Sequence, residues 1–375
     1  MNTLTLRRLP GAIALCLLVG APLALHASDG SPDTGNLFPA AAGYYEFFVY
    51  LPSDAPPEVA YAEQSCSGAL IAPQVVLTAA HCTSFNYVED IGITGYSDQV
   101  WVTFDLTATT NDFRCFLVET AAEYSEYLTG DYACDPTRKS DPAPTFHAVA
   151  VAGRNAGIAI AHGLTHPDFL RPELAPNGRA KRVEPNLQNA PDVGVLLLER
   201  PIVDVTPLPI VAVGGLDLMA DLKGTPALSV GYGLNWAKLT GEPPASGLGP
   251  MSDLGGGNEV KRIARVGPIA VVHETSLIPR QSVAKGDDTV CFGDSGSAMF
   301  LERSGRVEPT IVAVLSGATN WCQGSKDPYY RLDLPEAHEF LACVIARQDD
   351  VKRACMDCSA ERYFGLCDEL QGSAD

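Results

Sequence analysis

Apolar residues in this chain come in short runs, each closed by glycine, proline or clustered polar residues. Runs of that length suit strands with one or both faces buried, and they leave little room for long helices. The segments that read as strands are residues 46–51, 66–71, 74–77, 100–104, 146–151, 193–198, 227–230, 263–266, 269–272, 297–301 and 311–315. Residues 66–71 and 74–77 make a hairpin with Ala72 and Pro73 at its turn, and residues 56–64 read as a loop before it. One helix stands out at residues 335–346, where Ala337, Phe340, Leu341, Val344 and Ile345 recur at amphipathic spacing. The 34 glycines and 28 prolines supply the turns that so many short strands need. The class this predicts is all-β, as a sandwich or barrel.

The first residues read as an address. Arg7 and Arg8 precede a short apolar stretch broken by Pro10, Gly11, Gly20 and Pro22, and small residues follow at Ala27 and Ser28. This pattern predicts a signal peptide over residues 1–27, and hence a secreted or periplasmic protein with no membrane contact in its mature form. Removing Cys16 with that segment leaves ten of eleven cysteines: Cys66, Cys82, Cys115, Cys134, Cys291, Cys322, Cys343, Cys355, Cys358 and Cys367. An even count in an exported chain predicts disulfides. Cys115 and Cys134 sit in a polar stretch that reads as a surface insertion, pinned by a bridge between them. Cys355-Met-Asp-Cys358 also has a zinc-like spacing, but no second pair of ligands accompanies it, and disulfides are the better reading. The formal charge of −19 argues against nucleic acid and anionic membranes as partners.

Two segments carry chemistry. In Leu77-Thr-Ala-Ala-His81-Cys82, a histidine follows a short strand, and a bridge from Cys66 to Cys82 would fix the backbone beside it. In Cys291-Phe-Gly293-Asp294-Ser295-Gly296-Ser297, the glycines permit a tight turn with Ser295 at its centre. Such a turn can present a nucleophile and offer the amides of Gly293 and Ser295 to an oxyanion.

Together, and in this order, the TAAHC and GDSG segments resemble the chymotrypsin-like, or trypsin-like, serine peptidases. The acid of that family lies between histidine and serine. Asp192 fits best, because it alone precedes a small apolar strand ending in Leu198, Glu199, Arg200 and Pro201; Asp98, Asp105 and Asp112 do not. His166-Pro167, Gly231-Tyr-Gly233 and Ser316 match further family marks, and Cys291 with Cys322 resembles the pair that closes the specificity pocket. The resemblance implies two six-stranded antiparallel β-barrels and a secreted serine endopeptidase with catalytic His81, Asp192 and Ser295. It implies an oxyanion hole at Gly293 and Ser295, no cofactor and no metal, and protein or peptide substrates. The implied layout is a leader or propeptide at 28–43, a first barrel at 44–205 with an insertion at 105–145, a second barrel and helix at 206–346, and a cysteine-rich tail at 347–375.

The likeness leaves specificity and activation open. Thr289 stands at the family's pocket base and implies an uncharged or apolar preference. Asp327, if it points into the pocket, would restore a basic preference, and Asp287 and Asp288 are also close in sequence. Ser316, Gly317 and Ala318 replace the common serine, tryptophan and glycine of the cleft wall. No Ile-Val-Gly-Gly start follows the signal segment, so the partner of Asp294 and the identity of an activating protease stay open. The alternative function is a catalytically silent homologue that binds proteins. An α/β-hydrolase is excluded by the order of the residues.

Overall fold

The structure is a computed structural model that describes residues 30–50, 59–83, 100–104, 158–169, 190–233, 261–291, 293–317, 326–364 and 367. Six strands close the first barrel: β2 (Ala41–Tyr50), β3 (Val59–Ala72), β4 (Val75–Thr78), β5 (Val100–Thr103), β6 (Ile158–Thr165) and β7 (Gly194–Leu198), in the order β2-β3-β4-β7-β6-β5. Closure gives each of the six strands a neighbour on both sides over part of its length. β4 and β7 are buried along their whole length, which is what their unbroken apolar sequences require.

The second body is built from β8 (Pro226–Gly231), β9 (Arg262–Val272), β10 (Ser276–Pro279), β11 (Ala298–Arg303), β13 (Ala313–Leu315) and β14 (Tyr329–Arg331). Its antiparallel pairings run β8-β9-β10-β14-β13-β11 and return from β11 to β8. Two short strands extend this ring: β1 (Ser31–Pro32) on β9, and β12 (Arg306–Val307) on β11. The chain is therefore mostly strands in two barrels, as the resemblance implied.

Three details differ from the sequence reading. Residues 59–64 belong to β3 and pair with β2, although they read as a loop. Pairing with β2 holds them extended. The two strands expected at 263–266 and 269–272 are one strand, β9. Gly267 interrupts the apolar pattern but takes φ +80°, and a register shift in the β8 pairing absorbs it. β1 lies within the stretch read as a leader, and it pairs with the second barrel. Residues 105–145 and the expected strand at 146–151 lie outside the described residues.

Among the described residues three α-helical segments join these strands. α1 (Ala80–Thr83) follows β4, α2 (Pro335–Ile345) follows β14, and α3 (Val351–Cys358) follows α2. α2 begins with proline in its first turn and buries Ala337, Phe340, Leu341 and Val344, the face its spacing predicted. Asp350 caps α3 by accepting Arg353 N–H at 2.9 Å. The bridges Cys343–Cys358 and Cys355–Cys367 tie α2, α3 and a 3-10 turn at Ala360–Phe364 together. Among the described residues no helix is long and apolar enough to cross a membrane.

The loop leading to Thr289 is clipped by an ion pair. Arg280 grips Asp287 through two bonds of 2.7 and 2.6 Å, and Asp287 also accepts Ser282 N–H at 2.8 Å. The Arg280 guanidinium holds the Asp287 carboxyl below the usual carboxylate range. A carboxylate lowered by folding contributes stability above its unfolded pKa of about 4, and that contribution is lost as the pH falls through the lowered value. Asp287→Asn should therefore lower the urea midpoint at pH 7, and the gap to the parent should shrink below about pH 4. An unchanged gap at acid pH would remove Asp287 from the acid sensitivity of the fold.

Candidate active site

His81 sits in α1, the short turn after β4. The Cys66–Cys82 bridge ties that turn to β3, as the spacing suggested. Thr83 Oγ1 donates to Ala80 O at 3.0 Å and closes the turn from within. Asp192 stands two residues before β7 and is 1% exposed. Its carboxylate accepts the His81 backbone N–H at 2.9 Å and meets His81 Nδ1 at 2.9 and 3.2 Å. Ser316 Oγ also donates to Asp192 Oδ2. Three donors on one buried carboxylate offset the loss of its hydration. With Nδ1–H directed at Asp192, the lone pair of the imidazole lies on Nε2, where a base needs it.

Ser295 sits in a turn that two glycines make possible. Gly293 and Gly296 take φ values of +87° and +80°. Asp294 N–H donates to Cys291 O at 3.0 Å and Ser297 N–H to Asp294 O at 2.8 Å, which winds the turn tightly. Among the described residues none accepts the Ser295 N–H. The Asp294 carboxylate takes Gly233 N–H at 2.8 Å and Cys291 N–H at 2.9 Å.

Ser67, which the sequence reading passed over, joins these two segments. Its N–H donates to Ser295 O at 2.7 Å and its Oγ to Gly293 O at 2.8 Å. The same Oγ accepts Tyr232 N–H at 2.9 Å, and Ser67 O accepts Thr78 Oγ1 at 2.8 Å. Gly296 lies against the strand that leads to His81: a Cβ there would run into Thr78 Oγ1, Ser67 O and Ala79 N. Only the position of Ser67 beside Cys66 could have drawn attention to it.

The predicted pocket residues fall into two groups. Thr289 and Asp327 are both fully buried, and Asp327 N–H donates to Gln281 Oε1 at 3.1 Å. Asp327 also lies close enough to the buried Tyr329 to act on its phenol, whose proton burial holds on more tightly than usual. The Ser316 N–H donates to Pro328 O at 2.9 Å, so the strand after Asp327 runs beside Ser316. Among the described residues nothing lies within 4 Å of a Cβ added at Gly317, and Ala318 lies outside those residues. Asp287 and Asp288 are engaged elsewhere, Asp287 by Arg280 and Asp288 by Arg265 N–H at 2.8 Å.

The cysteines divide similarly. Cys66 pairs with Cys82, Cys343 with Cys358 and Cys355 with Cys367, and Cys291 is disulfide-bonded as well. Cys115, Cys134 and Cys322 lie outside the described residues. Cys355 and Cys358 each have a sulfur partner, which disposes of the zinc reading of their spacing. Among the described residues, the one group close enough to hold a metal ion is Cys66, His81 and Cys82, and its two sulfurs are joined to each other.

A family model described as Trypsin matches residues 46–127. That span contains Cys66, His81 and Cys82 and stops short of Asp192 and Ser295. The match supports the chymotrypsin-like serine peptidase family, and the two barrels agree with it. No curated protein matches the chain.

The approach of Gly296 to the histidine strand gives a direct test. Gly296→Ala adds a Cβ where Thr78, Ser67 and Ala79 leave no room, at a φ that side chains rarely adopt. It should lower the unfolding free energy by about 2–4 kcal/mol in a denaturant titration. A loss below about 0.5 kcal/mol would mean the seam is looser than described.

Proposed function

We propose that this chain, allied with the chymotrypsin-like serine peptidases, is an exported serine endopeptidase that cuts peptide bonds through an acyl-enzyme. One observation carries the reading. The buried Asp192 holds His81 by ring and backbone, and a glycine-flanked serine turn is stitched to the same strands through Ser67.

Ser295 Oγ attacks the carbonyl carbon of the substrate while His81 Nε2 takes its proton. The negative oxygen of the tetrahedral intermediate is met by the N–H groups of Gly293 and Ser295. One such donor is worth about 3 kcal/mol in the transition state. His81 then passes the proton to the departing amine, leaving the acyl group on Ser295. A water molecule repeats the sequence in reverse roles and frees the acid product. Asp192 fixes the imidazole tautomer and stabilises the imidazolium, and Ser316 holds the outer carboxylate oxygen. The chemistry calls for no metal or organic cofactor. The bridged cysteines suit an oxidising compartment outside the cytosol, in keeping with a signal segment at residues 1–27. Processing by another protease remains part of the reading, because no family-type start precedes the first barrel.

Incubation with a diverse peptide library, read by mass spectrometry, tests the proposal. Ser295→Ala should lower cleavage by roughly 10⁴-fold or more. Cuts after Lys or Arg would assign the pocket to Asp327, and cuts after uncharged residues would assign it to Thr289. Absence of Ser295-dependent cleavage, in the intact chain and in chain trimmed within residues 28–45, would favour the protein-binding homologue instead.

A further inference from the structure

The cysteine-rich tail has no part in the chemistry above, yet its 3-10 turn packs against the back of the histidine turn. After α3 the chain forms the 3-10 turn Ala360–Phe364, held by the bridges Cys343–Cys358 and Cys355–Cys367. From that turn Glu361 reaches the end of β6. Both of its carboxylate oxygens accept Thr165 N–H, at 3.1 and 3.2 Å, and Glu361 is 4% exposed. Thr165 Oγ1 in turn bonds Thr83 Oγ1 at 2.8 Å, and Thr83 Oγ1 donates to Ala80 O at 3.0 Å. With Thr83 as donor to Ala80, Thr165 is the donor to Thr83. A directed chain of hydrogen bonds therefore runs from the tail carboxylate to the carbonyl immediately before His81.

A second contact runs beside the first. Ala360 packs with Ala80 and Phe169 in a small buried cluster, against which Tyr363 and Ala190 also lean. Ala80 precedes His81 by one residue and Ala190 precedes Asp192 by two. α2 adds a third link: His166 Nε2 meets Glu336 O at 3.2 Å, the His166 ring lies edge-on to Phe340, and His166 N–H donates to Val193 O beside Asp192.

We propose that the disulfide-stapled tail sets the geometry of the His81–Asp192 pair, and that Glu361 is its positioning residue. A buried carboxylate is a costly way to cover a strand end, since an apolar side chain would do so without desolvating a charge. What Glu361 adds is a strong, directed acceptor for the Thr165 amide, which fixes Thr165 and through it the turn that carries His81. Reactions that depend on a base at a fixed distance respond steeply to small displacements. The tail bridges hold Glu361 in place, so opening them releases the same support. The proposal rests on the peptidase reading for its kinetic consequences but not for its structural ones.

The test uses the full chain with Glu361→Ala, Glu361→Gln and the double variant Cys355→Ser with Cys367→Ser. Glu361→Ala and the cysteine pair should lower kcat about tenfold. KM should stay within about twofold of the parent. Glu361→Gln keeps an acceptor for Thr165 N–H and should recover most of kcat. In parallel, the downfield proton resonance of His81 Nδ1–H, titrated with pH, should shift or broaden in the two impaired variants and return in Glu361→Gln. If kcat and the resonance hold while only the melting temperature falls, the tail is a scaffold and the proposal is overturned. If no form cleaves peptides, the resonance decides alone: movement sustains the proposal while the peptidase reading fails, and no movement overturns it. Should Glu361→Ala not fold, the cysteine variant carries the same readouts.

Discussion

The site depends on one residue with no chemistry of its own. Ser67 is fully buried; its N–H and hydroxyl serve the junction between the barrels, and its carbonyl accepts Thr78 Oγ1 within the first. Its backbone belongs to β3 of the first barrel, while its N–H and Oγ reach the serine turn of the second. A buried polar group without partners would cost about 1–3 kcal/mol, so satisfying each group of Ser67 fixes the seam as well as lowering its energy. The Cys66–Cys82 bridge then carries that position to the residue beside His81. The seam is stitched by backbone groups, which cannot swing away as long side chains can.

The same division of labour continues across the site. His81 and Asp192 come from the first barrel, Ser295 and Ser316 from the second, and the Ser316–Asp192 bond crosses between them. Relative displacement of the two barrels would therefore pull the arrangement apart. Ser67, Gly296 and Ser316 oppose that motion from three directions. The N-terminal segment adds a fourth hold. Asp33 accepts Leu37 N–H and Phe38 N–H, and the buried Lys261 ammonium donates to Asn36 Oδ1, Phe38 O and Phe104 O. Those bonds join the stretch before β2, the end of β5 and the start of β9.

Much of this was legible in the sequence where local pattern and burial agree. β4 and β7 are continuous apolar runs, α2 has an apolar stripe, and the segments around His81 and Ser295 carry small residues wherever backbones approach. What was not legible depends on partners far along the chain. The extended course of residues 59–64 comes from pairing with β2, which their own local pattern does not show. Gly267 looked like a strand end because a sequence cannot show the bulge that accommodates it. The roles of Ser67, Thr83 and Thr165 are equally silent, since each is a common small polar residue until its neighbours are known. The link from the tail is silent too, because the Thr165 amide that Glu361 holds lies far back in the chain, in β6 of the first barrel.

The excess of acids takes on a different meaning once the loops are seen. The chain has 45 acidic and 26 basic residues, so many carboxylates have no cation to meet. Several of the acids hold backbone amides, Asp333 in addition to its ion pair with Arg331. Asp33 holds Leu37 and Phe38, Asp333 holds Leu216, Asp294 holds Gly233 and Cys291, and Glu361 holds Thr165. These amides lie in turns and loops or at the ends of strands. A carboxylate accepts several such bonds at once and binds them more strongly than a neutral oxygen would. In a fold of short strands joined by many loops, orphaned amides are numerous and helices too few to absorb them. Acidic side chains supply the missing acceptors. Part of the negative charge that reads as mere solubility is thus spent inside the molecule, fixing the loops on which the site is built.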